Sequence, residues 1–576
     1  MKEVNRLLKE IHKSKVTYKD KVEQLFQTNS SSEAWKGLRQ MAGMDSASTM
    51  LTPECDSKTF ADELNAFYGR FDIHDESSDI KDIQRTLRSQ LQNAPQPSLT
   101  VEDVRNCFSQ QKCKKAAGPD HIQARVIKTC ASQLAPVFTN IFNRSLKLGI
   151  VPDCWKRSTL VPVPKSNIPA VKNDLRPVAL TDILMKNFER LFLCHLHPEI
   201  DPFQDNLQFA YSPGLGVEDA VLTVLHNIYQ HVNTAGHYVR ALFIYFSSAF
   251  NTISPALLGK KLMAMHVNPH LTLWITSFLT ERTQRVRFRD TMSNSITVNT
   301  GAPQGCVLSP VLFTLYTSGC KSASVNCPII KYADDTVIIG CLKQNGNEDS
   351  YNETVHSFVE WCDAHNLCLN VKKTKEMVID YSTTGTIYQN MSIKDELVEQ
   401  VNTYKYLGTL LDNKLEWKHN TQLLCSKSNK RMYYLRCLKK CKVDQTILRL
   451  FFNSVILSVL TFCQVCWWGN LTEELKQKVG RIVRTASQIM GADNITDIPK
   501  LFEKKQEMIC SRILSNKVHP LHEYFCLLKS CTRLKSQSGR TDRLNNSFVP
   551  AAVRYINALS VAEREYYLKF LKTDSV

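Results

Sequence analysis

Apolar residues in the first stretch of the chain recur at helical spacing: Leu7, Leu8 and Ile11, then Val22, Leu25 and Phe26, set among dense Lys and Glu. A serine cluster, Ser30 to Ser32, divides the stretch, so the pattern predicts two solvated helices over residues 1–45. Between His74 and Pro97 the periodicity gives way to an acidic, Ser-containing patch and then Asn93-Ala94-Pro95-Gln96-Pro97, which reads as a linker and a domain boundary. Beyond it, helical segments with Asp120 and Asp153 near their starts precede an apolar strand pattern, Ser158 to Val163, that ends in Pro164-Lys165. Val239 to Phe246 is almost continuously apolar, as a strand covered on both faces would be, and Ser254-Pro255 after it supplies a helix N-cap and first-turn proline. Residues 328–340 predict a hairpin, with Ile329-Ile330 and Thr336 to Ile339 as its strands and Ala333-Asp334 at the turn. Past Leu411 the strand signals fade and helical periodicity runs on, with no repeat of fixed period.

Length and composition narrow the class. At roughly 150 residues per domain, 576 residues allow several domains, and 43% hydrophobic with 22% charged residues excludes a fibrous or low-complexity chain. The 72 basic residues outnumber the 55 acidic ones by 17, which favours a polyanionic partner without choosing among RNA, DNA and anionic lipid. The 20 cysteines are scattered mostly singly, which points to a reducing, intracellular compartment. The first residues carry charges throughout and no apolar h-region, so no secretory signal is expected. From Leu450 to Thr472 no residue is formally charged, a length that could span a bilayer. Asn453, Ser454, Ser458, Thr461, Gln464 and Asn470 interrupt it, so a buried core helix and no membrane is the expectation.

Asp334-Asp335, the one adjacent Asp pair, sits at the tip of the predicted hairpin, where two carboxylates repel unless a cation or proton intervenes. A turn that merely favours Asp would look the same in isolation. The context is more specific. Gly301-Ala302-Pro303-Gln304-Gly305-Cys306 and Leu308-Ser309-Pro310 form a Gly/Pro loop leading into a helical run, Val311 to Tyr316. Lys115-Ala116-Ala117-Gly118-Pro119-Asp120, Val161 to Lys165, Asn173 to Leu180 and Gln208-Phe209-Ala210-Tyr211 precede it. Phe246-Ser247-Ser248-Ala249-Phe250-Asn251, Tyr332-Ala333-Asp334-Asp335, Leu369 to Lys375 and Tyr404-Lys405-Tyr406-Leu407-Gly408 complete the set. In this order, over residues 115–408, these strings resemble the reverse transcriptases of LINE-type (non-LTR) retrotransposons, most closely the jockey-like group. His519-Pro520-Leu521-His522 and Asn546 to Pro550 resemble the strings that flank the domain on its C-terminal side in that group.

The resemblance implies an α+β right-hand polymerase of fingers, palm and thumb. A helical lead-in and linker (1–97), fingers and palm (98–411, core motifs 145–411), and a thumb with a helical C-terminal region (412–576) would make up the chain. It implies RNA-directed DNA polymerase activity using two Mg²⁺ ions, or Mn²⁺ in their place, on an RNA template, a DNA primer and dNTPs, in the nucleus. Asp334 and Asp335 would be metal ligands. Lys165 and Arg176 would clamp the triphosphate, Phe250 would exclude the ribose 2′-hydroxyl, Gln304 would touch the nascent pair, and Lys373 would settle pyrophosphate charge. Lys427, Lys430, Arg431, Arg436, Lys439 and Lys440, with no acid from Cys425 to Val443, would track the duplex backbone. Two departures matter. Tyr245 stands where the family carries its other metal-binding Asp, a phenol is a poor ligand for a hard cation, and no Asp or Glu lies between Asp219 and Glu281 to replace it. Loss of polymerase activity is therefore expected, with a nucleic-acid-binding protein of polymerase fold as the alternative. The family's endonuclease has no counterpart in the short helical lead-in, so target nicking is not expected of this chain. A group II intron-type maturase shares the Ala-Asp-Asp core but not Phe-Ser-Ser-Ala-Phe-Asn.

Overall fold

The computed structural model describes residues 2–27, 31–44, 55–166, 168–344, 346–382, 388–491 and 496–572. Fourteen strands are distributed over two main sheets and two small hairpins among these residues. A smaller sheet joins β1 (Arg157–Pro164), β2 (Leu175–Leu180) and β4 (Arg282–Phe288), with β5 (Thr291–Met292) and β6 (Ile296–Val298) on β4. The central sheet runs β12 (Glu399–Gln400), β9 (Lys375–Ile379), β3 (His237–Ile244), β8 (Asp335–Lys343), β7 (Ile329–Tyr332). β10 (Ser392–Ile393) pairs with β11 (Glu396–Leu397), and β13 (Thr403–Tyr406) with β14 (Thr409–Asp412). The class is α+β, as expected, with helices on both faces of the central sheet.

β3 is the middle of that sheet because its residues can be buried on either side. Val239, Ala241 and Phe243 enter one core with Ala220, Val224 and Ile228 of the helix Val217–Val232. Tyr238, Leu242 and Ile244 enter a second core with residues of the helices Ile183–Ile200, Pro255–Ala264 and Ser309–Thr317. Each fully buried Leu, Ile or Phe contributes about 1.5–3 kcal/mol, so the double coverage anchors the strand. Arg240 is the polar exception. Its guanidinium is buried, donates to both Glu376 carboxylate oxygens at 2.9 and 2.6 Å, and also reaches Glu348 and the Gln389 carbonyl at 2.7 Å. Ser254 caps the helix Pro255–Ala264, its Oγ accepting from the Leu257 N–H at 3.0 Å.

The C-terminal region closes over the helix Val217–Val232. Asp219 in its first turn is buried and accepts from the Gly216 N–H at 2.7 Å and from Arg512 at 2.7 and 2.8 Å. His519 Nδ1 accepts the Leu521 N–H at 3.0 Å, which leaves Nε2 to donate to Asp219 at 3.3 Å. The His-Pro-Leu-His string thus serves as a packing clamp.

Two expected features differ. The acidic stretch ahead of the linker string is helix, Ser77–Gln90 burying Ile80, Ile83 and Leu87 against Ala256 and Leu273, whereas residues 94–97 of the string lie outside any helix. The uncharged run from Leu450 is not one core helix. It passes through a π-helical turn at Phe452–Leu457 and a left-handed Cys463 (φ 47°), with Phe451, Phe452, Ile456 and Leu460 in the core beside the helix Lys418–Lys440.

Candidate active site

The β7–β8 hairpin turns through Ala333 and Asp334, with Tyr332 opposite Asp335. Ala333 takes a left-handed conformation (φ 56°), which costs an L-residue about 1–2 kcal/mol and needs outside support. Gln208 supplies it. Its buried amide oxygen accepts the Ala333 N–H at 2.9 Å and the Ala210 N–H at 3.2 Å, and its Nε2 donates to the Ala333 carbonyl at 3.4 Å. The segment around Gln208 also pairs with the edge of β7, Phe209 N–H donating to the Lys331 carbonyl at 2.9 Å and Lys331 N–H to Leu207 at 2.8 Å. Beneath the turn, the buried Lys331 ammonium pairs with Asp205 and donates to the Cys320 carbonyl at 2.7 Å.

Both Asp side chains reach solvent at the hairpin tip, yet the surrounding walls desolvate them. Burial raises the Asp334 carboxyl, with a backbone hydrogen bond, Arg176 and Lys165 pulling it back. Burial and then the Asp334 charge push Asp335 up to about 6. Two carboxylates held above their ordinary range are under-compensated anions, and that donor chemistry fits a divalent cation completed by substrate oxygens.

The third candidate position carries a phenol, Tyr245. Ile244 faces Thr336 across the β3–β8 pair, so the next residue, Tyr245, comes level with Asp335. Its N–H donates to Thr374 Oγ1 at 3.3 Å and its carbonyl accepts from Asn370 at 2.9 Å, which fixes the backbone. The Lys373 ammonium lies 4.9 Å from the centroid of the Tyr245 ring, a cation–π contact. Among the described residues no third His, Cys, Asp or Glu joins Asp334 and Asp335 in a metal-holding cluster.

Cations face the carboxylates from the smaller sheet. Val163 pairs with Arg176, so Lys165 and Arg176 leave adjacent strands at the same end. Lys165 donates to the Asn173 carbonyl at 2.6 Å; burial lowers its pKa, and Arg176 and Lys373 lower it further. The loop after β6 binds the two sheets together. Gly301 (φ 80°) and Gly305 (φ 123°) are required there: a Cβ would stand 2.8 Å from the Asn251 Cα and 2.8 Å from the Ala179 carbonyl oxygen, respectively. Between them the Gln304 carbonyl accepts the Ala179 N–H at 2.7 Å, and its Nε2 donates to Asn251 Oδ1 at 3.3 Å. Phe250 stacks on Phe313 (4.6 Å, 21°) with its carbonyl bound by the Ala302 N–H at 2.8 Å.

Asp334, Asp335, Tyr245, Lys165, Arg176 and Lys373 therefore converge, with Phe250 and Gln304 linked through Asn251. The basic helix Lys418–Lys440 divides by role. Lys427, Lys430, Arg436 and Lys440 are exposed, and Lys427 neighbours Lys405 of β13, the strand whose Tyr404 stacks on Phe243. Arg431, half-buried, and Lys439, exposed like those four, donate to the Val455 and Met490 carbonyls at 2.6 and 2.9 Å, which ties the helix to its neighbours. Gln208 carries no polar-motif signal of its own, and only its place in the Gln-Phe-Ala-Tyr string marked it.

Comparison with known proteins agrees with this geometry. Residues 163–411, which contain both sheets' site residues, match the family "Reverse transcriptase (RNA-dependent DNA polymerase)". Residues 417–458 match "Alkylated DNA repair protein alkB homolog 8, N-terminal", a segment that is here helical. The chain is 26% identical over 492 residues to the RNA-directed DNA polymerase from mobile element jockey of Drosophila melanogaster, covering 81% of this chain and 53% of that protein. It is 25% identical over 410 residues to the jockey polymerase of Drosophila funebris, covering 68% and 44%. With the probable RNA-directed DNA polymerase from transposon X-element of Drosophila melanogaster it shares 26% over 363 residues, covering 60% and 39%. The chain thus spans about half the length, or less, of these relatives. An aspartate-tipped hairpin facing paired cations thus lies within residues 163–411, which match the reverse transcriptase family, in a chain similar to RNA-directed DNA polymerases of mobile elements.

Proposed function

We propose that the chain is built for RNA-directed DNA synthesis in the nucleus, with the central sheet as palm, the smaller sheet as fingers and the helix Lys418–Lys440 in the thumb. The observation that carries this reading is the Asp334-Asp335 tip with Lys165 and Arg176 opposite it. Asp334 and Asp335 would hold Mg²⁺, or Mn²⁺, which when bound neutralises phosphate charge and lowers the pKa of a coordinated hydroxyl. Arg176 pairs its N–H groups with phosphate oxygens of an incoming dNTP, Lys165 adds a point charge, and Lys373 meets the charge of departing pyrophosphate. Phe250, braced on Phe313, excludes a ribose 2′-hydroxyl, and Gln304 positions the pair above it. RNA template and DNA primer run toward the exposed Lys427, Lys430, Arg436 and Lys440.

Tyr245 favours a second reading for this copy, template binding without synthesis, because its phenol replaces an anionic oxygen at the strand end. Fluorescence anisotropy of a labelled RNA–DNA primer–template, with dNTP incorporation measured on the same samples, tests both. Salt-dependent binding with Mg²⁺-dependent incorporation that Asp334→Ala removes supports the polymerase. Binding that ignores Asp334→Ala, with no incorporation, supports the second reading; absence of binding sinks both.

A further inference from the structure

The matched domain begins at residue 163, yet one cation at the site comes from well before it. The helix Ser57–Gly69 lays Phe60, Leu64 and Tyr68 on Leu160, Val286 and Phe288 of the smaller sheet, and it ends at Arg70. Two residues on, the Asp72 carboxylate accepts the Asn299 N–H at 3.1 Å and the Thr300 hydroxyl at 2.8 Å, which latches the segment to the loop that carries Gln304. Gly69 and Phe71, on either side of Arg70, line one small cavity with Pro177, Asn251 and Gln304. Packing and latch together hold the residues on either side of Arg70 at the cavity that Gln304 borders.

The side chain is prepared there. Its guanidinium carbon lies 3.7 Å from the Phe67 ring centroid and 4.3 Å from that of Phe71, and one N–H donates to the Phe67 carbonyl. No carboxylate pairs with it among the described residues. A guanidinium stacked between two rings has lost most of its rotamer freedom before a ligand arrives, while its remaining donors stay open. Its charge adds to those that depress Lys165, after burial, Arg176 and Lys373. Asp174 opposes these charges and raises Lys165 by more than Arg70 lowers it, while one of its oxygens also accepts the Ala170 and Val171 N–H groups at 2.9 and 3.1 Å. Four cations crowded in this way call for a polyanion.

We propose that Arg70 is a fourth arm of the triphosphate cradle, supplied by the segment ahead of the matched domain. This rests on the nucleotidyl-transfer reading above. Lys165, Arg176 and Lys373 approach from the two sheets, and Arg70 closes the side next to the Gln304 loop, where its open N–H donors engage the outer phosphates. The bland alternative is an Arg that only packs on its two aromatic neighbours.

Calorimetric titration of the full chain with dATP, dAMP and deoxyadenosine, in Mg²⁺, separates these. Arg70→Gln keeps a stem for the rings and an amide donor for the Phe67 carbonyl but removes the charge. The expected result is a loss of dATP affinity of roughly ten-fold or more with deoxyadenosine binding unchanged, so that the dATP-to-deoxyadenosine affinity ratio collapses. That ratio is insensitive to a partly unfolded sample, which lowers stoichiometry for every ligand alike. A ratio unchanged in Arg70→Gln but reduced in Arg176→Ala overturns the assignment of Arg70 alone. A wild-type chain that does not prefer dATP to deoxyadenosine overturns the nucleotide-site reading with it.

Discussion

Replacing Asp335 by Asn asks whether the hairpin tip holds repelling anions in need of a cation. Burial, then Asp334, lifts the Asp335 carboxyl to about 6 from an ordinary 3.8. Taken at face value the difference is about 3 kcal/mol. The side chain is solvent-exposed at the tip, and screening cuts that to about 1 kcal/mol. Because the folded-state pKa lies above the unfolded one, the carboxyl costs stability as pH rises past 3.8, and the cost is complete above about 6. Asp335→Asn should therefore stabilise the metal-free protein by about 1 kcal/mol at neutral pH and by nothing below about pH 4. Mg²⁺ should reverse the order by stabilising the unaltered protein and leaving the variant almost unmoved. Urea unfolding across this pH range, with and without MgCl₂, reads both effects. Equal stability of the two proteins at neutral pH without metal, or equal stabilisation of both by Mg²⁺, refutes the reasoning.

Other sites give sharper contrasts. Gln208→Ala strands the Ala333 N–H and should cost about 1–3 kcal/mol in urea unfolding while weakening Mg²⁺ binding at Asp334; full Mg²⁺ affinity would deny Gln208 its positioning role. Arg240→Met leaves Glu376 buried and uncompensated, so it should cost about 3–5 kcal/mol, and adding Glu376→Leu should recover most of it in the same assay. On the basic helix, Lys430→Ala and Arg436→Ala should each reduce the salt dependence of primer–template binding by about one unit of log–log slope. Arg431→Ala and Lys439→Ala should instead lower thermal stability, because those side chains hold backbone carbonyls.

The parts of this molecule that could be read from sequence were those whose cause is local. Ile329-Ile330 and Thr336 to Ile339 flank a turn, and they form β7 and β8 where the short apolar runs put them. Ser254-Pro255 starts a helix because a hydroxyl ahead of a proline solves the orphan N–H problem wherever it occurs. Residues 74–97 were harder: Ser, Asp and Gln dominate the composition, but Ile80, Ile83 and Leu87 fall on one helical face and find Leu273 far along the chain. The basic count from Lys427 to Lys440 could not separate solvated charges from Arg431 and Lys439, whose partners are carbonyls on other helices. Gln208 and Ala333 lie 125 residues apart, and Arg70 meets the site only because a distant sheet packs on its helix. Tyr245 was legible as a departure because the strings on both sides of it are intact; its contact with Lys373 was not.

All of this depends on the chain holding a polymerase site that lacks one anionic ligand at Tyr245. Mg²⁺-dependent extension of a DNA primer on an RNA template, compared among the unaltered protein, Tyr245→Asp, and Tyr245→Asp with Asp334→Ala, tests it directly. The expected result is extension by Tyr245→Asp alone, faster than the unaltered chain by at least roughly 100-fold, since several kcal/mol of transition-state stabilisation return with the carboxylate. Equal extension by the unaltered protein and Tyr245→Asp, or no extension by a Tyr245→Asp protein that still binds primer–template, would contradict it.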